Sequence, residues 1–426
     1  MNQPVTKPPM ATGEMGIIRA VYLLRQVYPI SEARVIAIGS SELVIGRAPN
    51  DRNGLTIADG EASRRHAMVS FDRRSNAHMV SDLDSSNGTF VNGSRVTSAK
   101  LDDGSVIRTG RSIFVYVRAA LGPGTPIPSL SPRLSLSRAI VEGIADRAAG
   151  SDLPVLIYGP TGAGKERMAE RIHLMSRRKG RLVSLNCGAL SSELLGSELF
   201  GHVKGAYSGA QSSRTGLFAA ADGGTLFLDE IAELPLEQQP ALLRACETGR
   251  IRPVGADRDQ SVNVRIVAAT HTDLDSMCTA GTFRKDLLAR LRGVTIQLPA
   301  LSRRRDEILA LFDDFVEGIP FGITVAERLL LYKWKENVRE LKNVAEYVRL
   351  FAQQAGSVHP SHLPSHVTGS TSNEVSGPPS LSKLEDLLRI HGGNMSKVAR
   401  DLGVHRQQAY RWVSKEGLNP AKYRRS

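Results

Sequence analysis

The residues best suited to chemistry form a glycine-rich run that ends in a lysine. From Gly159 to Lys165 the order is glycine, four residues, glycine and lysine, directly after an apolar run at 153–158. Glycines let consecutive backbone N–H groups turn inward, and a helix N-terminus and a lysine add positive charge. The pattern predicts a phosphate-binding loop between a buried strand and a helix. The residues expected to bind a nucleotide are Gly159, Pro160, Thr161, Gly162, Ala163, Gly164, Lys165 and Glu166.

Two adjacent carboxylates follow a second apolar strand, at Asp229 and Glu230. We expect Asp229 to hold Mg²⁺ and Glu230 to polarise the attacking water, because phosphoryl transfer depends on positioning and electrostatics. Glu166 stands where the generic loop has Ser or Thr for magnesium, so the ion depends more on Asp229. The alternative for the loop by itself is an ordinary turn, and the matching second strand argues against it.

The composition indicates a soluble protein of several domains. A length of 426 residues allows two or three domains, and 41% hydrophobic and 23% charged residues are ordinary values. The net charge of +12 is concentrated in residues 381–426, which hold ten Lys and Arg against four Asp and Glu, so an anionic partner is expected. Three widely spaced cysteines indicate reduced thiols. Because no apolar run reaches roughly 18 residues, we predict a cytoplasmic protein without membrane contact.

The N-terminal part reads as an all-β sandwich, since short β-prone runs alternate with turn residues over residues 17–118. IGR at 45–47, SRRH at 63–66 and DLDSSNGTFVNG at 82–93 follow in order, and with them this part resembles the forkhead-associated (FHA) domain, a reader of phosphothreonine peptides. By this resemblance His66 and Asn92 brace loops without touching ligand. The alternative for each Asn-Gly or Ser-Asn pair is an ordinary hairpin turn. The implied phosphopeptide contacts are Arg47, Ser63, Arg64, Ser86 and Asn87.

The central part alternates apolar strands with helical stretches, which predicts an α/β domain with a parallel sheet covered on both faces. Its runs FGHVKGAYSGA, GGTLFLDE, FRKDLLARL and WKENVRELKN resemble the AAA+ domain of sigma-54-dependent transcription activators. In that family a GAFTGA loop contacts the sigma factor, and here the loop reads GAYSGA. The alternative is a glycine-bounded surface loop. The implied sigma contacts are Gly205, Ala206, Tyr207, Ser208, Gly209 and Ala210.

The same resemblance implies further roles in ATP hydrolysis. Asn186 would couple Glu230 to the nucleotide state, and Arg339 would be the sensor arginine of a helical lid that binds ATP. Arg284 and Arg290 would be arginine fingers that reach the γ-phosphate of a neighbouring subunit, which implies a hexamer as the active form. For each arginine the alternative is a surface ion pair of little energetic value. The chain departs from the family at His271, where the sensor motif usually has Asn, in LSRRRDEI, and in a short lid segment at 313–327.

The C-terminal part predicts an all-α helix-turn-helix, with small and apolar residues at 398–412 in the required spacing. It resembles the Fis-type domain of these activators, whose second helix enters the major groove. A small helical oligomerisation module is the alternative, and the local basic excess favours DNA. The residues expected to contact DNA are Arg406, Gln407, Gln408, Arg411 and Lys415.

Taken together, the sequence predicts a multidomain chain with a sandwich, an α/β ATPase with a lid, and a helix-turn-helix. The expected partners are sigma-54 RNA polymerase, enhancer DNA, a phosphothreonine protein and further copies of the chain. Two alternatives stay open, a phosphopeptide-recruited AAA+ remodeller of another protein and a DNA-bound phospho-dependent scaffold with an inactive ATPase. The predicted divisions are a disordered tail at 1–16, the FHA domain at 17–118, a linker at 119–134, the ATPase at 135–366, a linker at 367–380 and the DNA-binding domain at 381–426.

Overall fold

A computed structural model describes residues 19–121, 133–206, 211–368, 381–401, 410, 412–414 and 418–423. The chain divides into two units, residues 1–362 and residues 363–426. The first unit contains a β sandwich, an α/β domain and a helical lid. The described residues of the second unit are mainly helical.

The sandwich consists of two sheets that enclose one apolar core. The six-stranded sheet has the order β2-β1-β11-β10-β7-β8, and the five-stranded sheet has the order β4-β3-β5-β6-β9. The strands are β1 (Arg19–Tyr28), β2 (Arg34–Ala37), β3 (Leu43–Gly46), β4 (Gly54–Thr56), β5 (Ala67–Asp72), β6 (Ala77–Asp82), β7 (Thr89–Val91), β8 (Ser94–Val96), β9 (Ser98–Lys100), β10 (Val106–Thr109) and β11 (Ser112–Leu121).

Both sheets contribute side chains to the core of the sandwich. Ile45, Val69 and Val80 from one sheet pack with Ile107 and Phe114 from the other, and all five are almost fully buried. Such packing is what alternating strands require, because every second side chain points to the same face. The predicted sandwich is therefore confirmed, and its last strand continues to Leu121, beyond the predicted limit of 118.

The α/β domain is built on a parallel sheet of five strands in the order β13-β16-β19-β12-β20. Short two-stranded ribbons join β14 with β15 and β17 with β18. The strands are β12 (Val155–Tyr158), β13 (Leu182–Asn186), β14 (Gly201–His202), β15 (Arg214–Thr215), β16 (Thr225–Asp229), β17 (Arg250–Ile251), β18 (Gln260–Ser261), β19 (Arg265–Thr270) and β20 (Val294–Gln297). The helices are α1 (Leu136–Ala149), α2 (Lys165–Met175), α3 (Ser192–Phe200), α4 (Leu217–Ala220), α5 (Gln239–Thr248), α6 (Leu274–Ala280) and α7 (Lys285–Leu291).

Helices cover both faces of this sheet, as the continuous apolar strands predict. Phe227 of β16 packs on the side of α1 and α2, whereas its neighbours Leu226 and Leu228 pack on the side of α3, α5 and α7. The alternation of one strand thus serves two cores. Polar residues at the strand ends are left at one edge of the sheet, where the nucleotide loop begins.

A helical lid follows the sheet and contacts the phosphate-binding loop. It consists of α8 (Ile308–Phe315), α9 (Ile323–Leu331) and α10 (Asn337–Ala355). Trp334, which is 1% exposed, fills its interior and donates its indole N–H to the carbonyl of Leu329 at 2.9 Å. A buried aromatic ring with its polar atom satisfied fixes the turn between α9 and α10.

The second unit contains α11 (Leu381–Ile390) and α12 (Met395–Asp401). They pack through a small apolar cluster that includes Leu384, Leu388, Val398 and Val413. The region is therefore helical, as predicted. None of the helices that the structure describes is long and apolar enough to cross a bilayer.

Candidate functional site

The phosphate-binding loop lies between β12 and α2 and takes its shape from glycine. Gly162 and Gly164 adopt φ angles of +72° and +102°, which side chains with a Cβ rarely accept. Ala163 N–H closes the turn onto the carbonyl of Pro160 at 3.1 Å, and Lys165 begins α2. The N–H groups of the first turn of α2 and the ammonium group of Lys165 therefore lie at the same end of the helix, which favours the binding of an anion there.

Three polar side chains, those of Lys165, Glu230 and His271, meet beside this loop. Lys165 Nζ lies 3.1 Å from Glu230 Oε1 and donates to the carbonyl of Gly159 at 3.3 Å. His271 Nδ1 lies 2.8 Å from Glu230 Oε2. Glu230 has a φ of +50°, an uncommon angle outside glycine that is typical of functional positions. One carboxylate is therefore held from two sides by basic groups.

The two neighbouring acids respond differently to the same surroundings. Burial raises the pKa of Asp229 above its ordinary value, although Lys165 opposes this shift. Burial acts in the same direction on Glu230, but hydrogen bonds from His271 and Lys165 outweigh it and lower the pKa. Glu230 therefore stays ionised at neutral pH and can accept a hydrogen bond from water.

A cavity of about 430 Å³ joins the loop, the acids and the lid. This volume suits a small ligand. Arg339 of α10 reaches the cavity from the lid side, so that the lid and α2 both contribute cations. The lining residues are Thr161, Gly162, Gly164, Lys165, Glu166, Arg167, Asp229, Glu230, Phe315, Val338, Arg339, Lys342 and Asn343. A second cavity of about 410 Å³ borders Ala163 and Gly164 and includes Arg138 of α1.

The lid is fastened directly to the phosphate-binding loop. Val338 N–H donates to the carbonyl of Gly162 at 3.0 Å, and Asn337 Nδ2 donates to the carbonyl of Thr161 at 2.8 Å. A Cβ on Gly162 would lie 2.1 Å from the carbonyl oxygen of Glu336, a distance that atoms do not tolerate. The motif alone indicates a glycine here for backbone freedom, and the tertiary contact adds a second reason.

Three predicted residues lie apart from these contacts. Asn186 is next to Asp229 across the β13–β16 pairing, but its Oδ1 accepts from Gly188 N–H at 2.9 Å, and Glu230 contacts His271 and Lys165 instead. Arg284 pairs with Asp286 at 2.7 Å, and Arg290 donates to the carbonyl of Cys246 at 3.1 Å. Neither Arg284 nor Arg290 lines the cavity, and both are exposed.

Sequence reasoning missed three contacts around the phosphate-binding loop. The role of His271 as a partner of Glu230 had a signal, because a histidine replaces the usual Asn there. The anchoring of the loop by Asn337 and by Arg304, whose Nη2 donates to the carbonyl of Ala163 at 2.8 Å, had none. Both contacts join distant parts of the chain.

A magnesium site at Asp229 agrees with the chemistry of the donors. Mg²⁺ is usually held by one or two carboxylates together with phosphate oxygens rather than by a full protein cage. Within the described ranges no group of three or more His, Cys, Asp or Glu side chains is placed to hold a metal ion. Asp229 at the cavity wall fits an ion that arrives with a nucleotide.

The predicted phosphopeptide residues come together on three loops of the sandwich. Arg47 N–H donates to the carbonyl of Ser63 at 3.0 Å, and Ser63 Oγ accepts from Ser86 N–H at 3.1 Å. Asn87 Nδ2 donates to the carbonyl of Glu61 at 2.7 Å. Arg47, Arg64, Ser86 and Asn87 are exposed and Ser63 is half-buried, so the group forms a polar surface with two guanidinium groups.

The residues expected to brace these loops do so. His66 is fully buried, and its two ring nitrogens contact Ser63 N at 3.1 Å and the Gly88 carbonyl at 3.2 Å. Asn92 Oδ1 accepts from Val106 N–H at 3.0 Å. His66 therefore links the Ser63 loop with the loop that follows Ser86, which keeps the polar surface in shape.

Two predicted sites lie largely outside the described residues. The start of the GAYSGA loop is held by two hydrogen bonds. Ala206 N–H donates to the carbonyl of Val203, and Lys204 N–H donates to Ser213 Oγ. The described part includes Gly205 and Ala206. The residues outside it are Tyr207, Ser208, Gly209 and Ala210 of this loop and Arg406, Gln407, Gln408, Arg411 and Lys415 of the predicted DNA-binding helix.

Comparison with known proteins agrees with this architecture. Residues 135–297 match the family model of the sigma-54 interaction domain, residues 302–378 match the AAA+ ATPase lid domain, and residues 43–110 match the FHA domain. A crystal structure of NtrX from Brucella abortus in complex with ADP is 29% identical, covers 67% of this chain and 69% of that chain, and has a TM-score of 0.53.

Several relatives of known name are transcriptional regulatory proteins. The transcriptional regulatory protein GlrR of Escherichia coli is 40% identical over 291 residues, and the match spans 64% of each chain. The C4-dicarboxylate transport transcriptional regulatory protein DctD of Rhizobium meliloti is 38% identical over 328 residues, which cover 75% of this chain and 70% of DctD. With its AAA+ lid and its FHA domain, the chain belongs to the family of transcriptional regulators that carry a sigma-54 interaction domain.

Proposed function

We propose that the protein is a cytoplasmic transcription activator that hydrolyses ATP to remodel RNA polymerase carrying sigma-54. The observation that carries this proposal is the convergence of Lys165, Asp229 and Glu230 of the sigma-54 interaction domain and Arg339 of the AAA+ lid on one cavity. NtrX, a structural relative, crystallises with ADP and with ATP, which supports a nucleotide in the same place.

The contacts of Lys165 suggest how nucleotide would start the reaction. Its ammonium group pairs with Glu230, and a polyphosphate at the loop would attract that ammonium group more strongly. Glu230, still held by His271, would then be free to orient water for attack on the γ-phosphate. Mg²⁺ at Asp229 would neutralise phosphate charge when bound.

Completion of the site would require a second copy of the chain. Arg284 and Arg290 are exposed and lie outside their own cavity, so they are available to a neighbour's γ-phosphate. This arrangement favours a hexameric ring as the active form, in which residues 205–210 contact sigma-54. The C-terminal helices would hold enhancer DNA through their basic residues.

The sandwich would supply regulation through a phosphothreonine protein. Arg47 and Arg64 offer donors to phosphate, while Ser63, Ser86 and Asn87 offer polar groups to the peptide. Two exposed arginines, on loops next to the buried His66 that braces this surface, support recognition of a phosphorylated chain.

An assay of ATP hydrolysis and open-complex formation tests the proposal. Purified protein should hydrolyse ATP more rapidly per subunit as its concentration rises, because the site is shared, and should open a sigma-54 promoter. Lys165→Ala should abolish both activities. Hydrolysis without promoter opening would indicate a remodeller of another protein, and wild-type protein without hydrolysis would indicate a scaffold.

A further inference from the structure

The β sandwich and the ATPase share a buried ion pair. Arg25 of β1 and Asp306 lie 3.0 Å apart, and their side chains are 1% and 3% exposed. Arg25 also donates to the carbonyl of Leu134 at 2.6 Å, just before α1. Charges so deeply buried are stable only together, because each would otherwise lose its hydration without compensation.

Asp306 belongs to a short segment that contacts the phosphate-binding loop. Arg304, 1% exposed, pairs with Glu307 at 2.6 Å and donates through Nη2 to the carbonyl of Ala163 at 2.8 Å. Leu301 N–H donates to Asn337 Oδ1, and Asn337 in turn donates to Thr161. The segment at 301–307 therefore lies between the sandwich on one side and the nucleotide loop on the other.

A second set of contacts joins the sandwich to the lid. Arg108 of β10 pairs with Glu327 of α9 at 3.1 Å, and both side chains are about one-fifth exposed. Tyr28 OH donates to the carbonyl of Phe321 at 2.8 Å, and Arg305 Nη1 donates to the carbonyl of Gly104 at 3.1 Å. The sandwich thus touches both the segment that braces the loop and the helix that precedes α10.

The lid contact leads back to the predicted phosphopeptide surface. The guanidinium of Arg108 stacks on the ring of Phe90, 3.7 Å from its centroid. Phe90 lies on β7, the strand that directly follows Ser86 and Asn87. The lid contact is therefore connected to the predicted phosphopeptide surface through Phe90 and the start of β7.

We propose that the sandwich is a docked part of each ATPase subunit and that Arg25 and Asp306, acting through Arg304, position the phosphate-binding loop. Nucleotide binding and docking of the sandwich are then coupled. Coupling between two sites is reciprocal. A ligand that binds the sandwich and weakens docking therefore lowers the affinity for nucleotide, and bound nucleotide lowers the affinity for that ligand by the same factor. This inference rests on the proposed binding of nucleotide.

A charge-swap experiment at the partly buried pair of Arg108 and Glu327 tests the proposal. Binding of a fluorescent ADP analogue is measured for the full-length protein and for Arg108→Glu, Glu327→Arg and the double variant. Each single swap should weaken binding about fivefold or more, the lower end of allosteric couplings, and the double swap should restore it. Arg65→Glu is the matched control, since Arg65 forms an exposed pair with Asp51 within the sandwich and should leave binding unchanged.

The buried pair provides a second arm. Arg25→Met leaves a buried carboxylate without its partner and should weaken binding of the ADP analogue, whereas Arg25→Met with Asp306→Leu should regain much of it, because apolar replacements often substitute for buried pairs. Thermal unfolding identifies any variant that is not folded. Wild-type affinity in all the single variants, or loss that neither double variant restores, overturns the inference. A wild-type protein that does not bind the analogue contradicts the proposed function instead.

Discussion

Glu230 is the residue at which the polar contacts of the nucleotide site meet. His271 holds one of its oxygens at 2.8 Å, on the side opposite Lys165. Once a nucleotide engages Lys165, the imidazole would be the remaining restraint among the contacts of this carboxylate. A water molecule that attacks phosphate must be aligned closely, so the loss of this restraint should affect the chemical step.

His271→Ala should therefore reduce kcat for ATP hydrolysis by about tenfold to a hundredfold with little change in KM, because misplacement of a catalytic group acts on the transition state. His271→Asn, which introduces the usual residue of the family, should retain more activity. Steady-state kinetics checks both variants. An unchanged kcat in His271→Ala would show that the contact with Glu230 does not serve hydrolysis.

Arg47 is the residue on which phosphate recognition by the sandwich should depend. Arg47→Ala removes a charge-assisted hydrogen bond, worth about 1.5–3 kcal/mol, so affinity for phosphothreonine peptides should fall about tenfold or more. Fluorescence anisotropy with peptides from a phosphothreonine library measures the change. Arg65→Ala removes an exposed arginine of the same domain and should bind as wild type.

At the scale of elements, the contact between α10 and the phosphate-binding loop depends on the absence of a side chain at Gly162. Gly162→Ala places a Cβ on a residue with a left-handed backbone conformation, which costs about 1–2 kcal/mol. The same Cβ would clash with the carbonyl of Glu336. The lid should separate from the loop, and both thermal stability and nucleotide affinity should fall.

A matched control separates strain from the clash. Gly281 ends α6 with a φ of +76°, and a Cβ there meets nothing within 4 Å. Gly281→Ala should show the backbone penalty alone, without a change in nucleotide affinity. Equal losses in the two variants would mean that the lid contact contributes nothing.

The packing of α2 on the sheet should be sensitive to pH through His173. Its Nδ1 lies 2.9 Å from Thr225 Oγ1 of β16, and burial, assisted by Arg178, lowers its pKa below the ordinary value of about 6.5. The folded state then binds fewer protons than the unfolded state in this range. The contribution of His173 to the free energy of unfolding is therefore fully present above a pH of about 6.5, and it decreases as the pH falls towards the lowered pKa.

Denaturant unfolding between pH 7.5 and 5, chosen as a working range about the ordinary histidine pKa, checks this expectation. His173→Gln can still contact Thr225 but does not titrate, so its free energy of unfolding should depend less on pH than that of the wild type. The same slope in both proteins would assign the pH dependence to other groups.

At the scale of the whole molecule, a composite active site can be tested by mixing inactive variants. Lys165→Ala should lack hydrolysis because its own loop is impaired, and Arg290→Ala should lack it because the finger is missing, an effect of about 10³-fold or more in related chemistry. A mixture should regain activity at subunit pairs that join an intact loop to an intact finger. No recovery would contradict action of Arg290 on a neighbouring subunit.

Much of the architecture followed from the sequence because its signals are local. Alternating short strands, apolar runs that end in carboxylates and the glycine spacing before Lys165 each lie within a few residues of one another. The fold class and the family are confirmed, whereas the roles of single residues and the domain limits stay predictions. The end of a single strand, such as that of β11 at Leu121, has no local signal because it depends on the neighbouring strands.

The sequence by itself determined which chemistry the chain can support. Residue types and spacing define the phosphate-binding loop, the acid pair of Asp229 and Glu230 and the arginine pair of Arg47 and Arg64. Only the tertiary structure decided what holds these groups. His271 meets Glu230 from 41 residues away, and Arg304 meets Ala163 from 141 residues away. Such contacts arise when packing brings distant segments together, and burial then makes their charges depend on one another. The link from Arg25 to the nucleotide loop therefore has no counterpart in any local pattern.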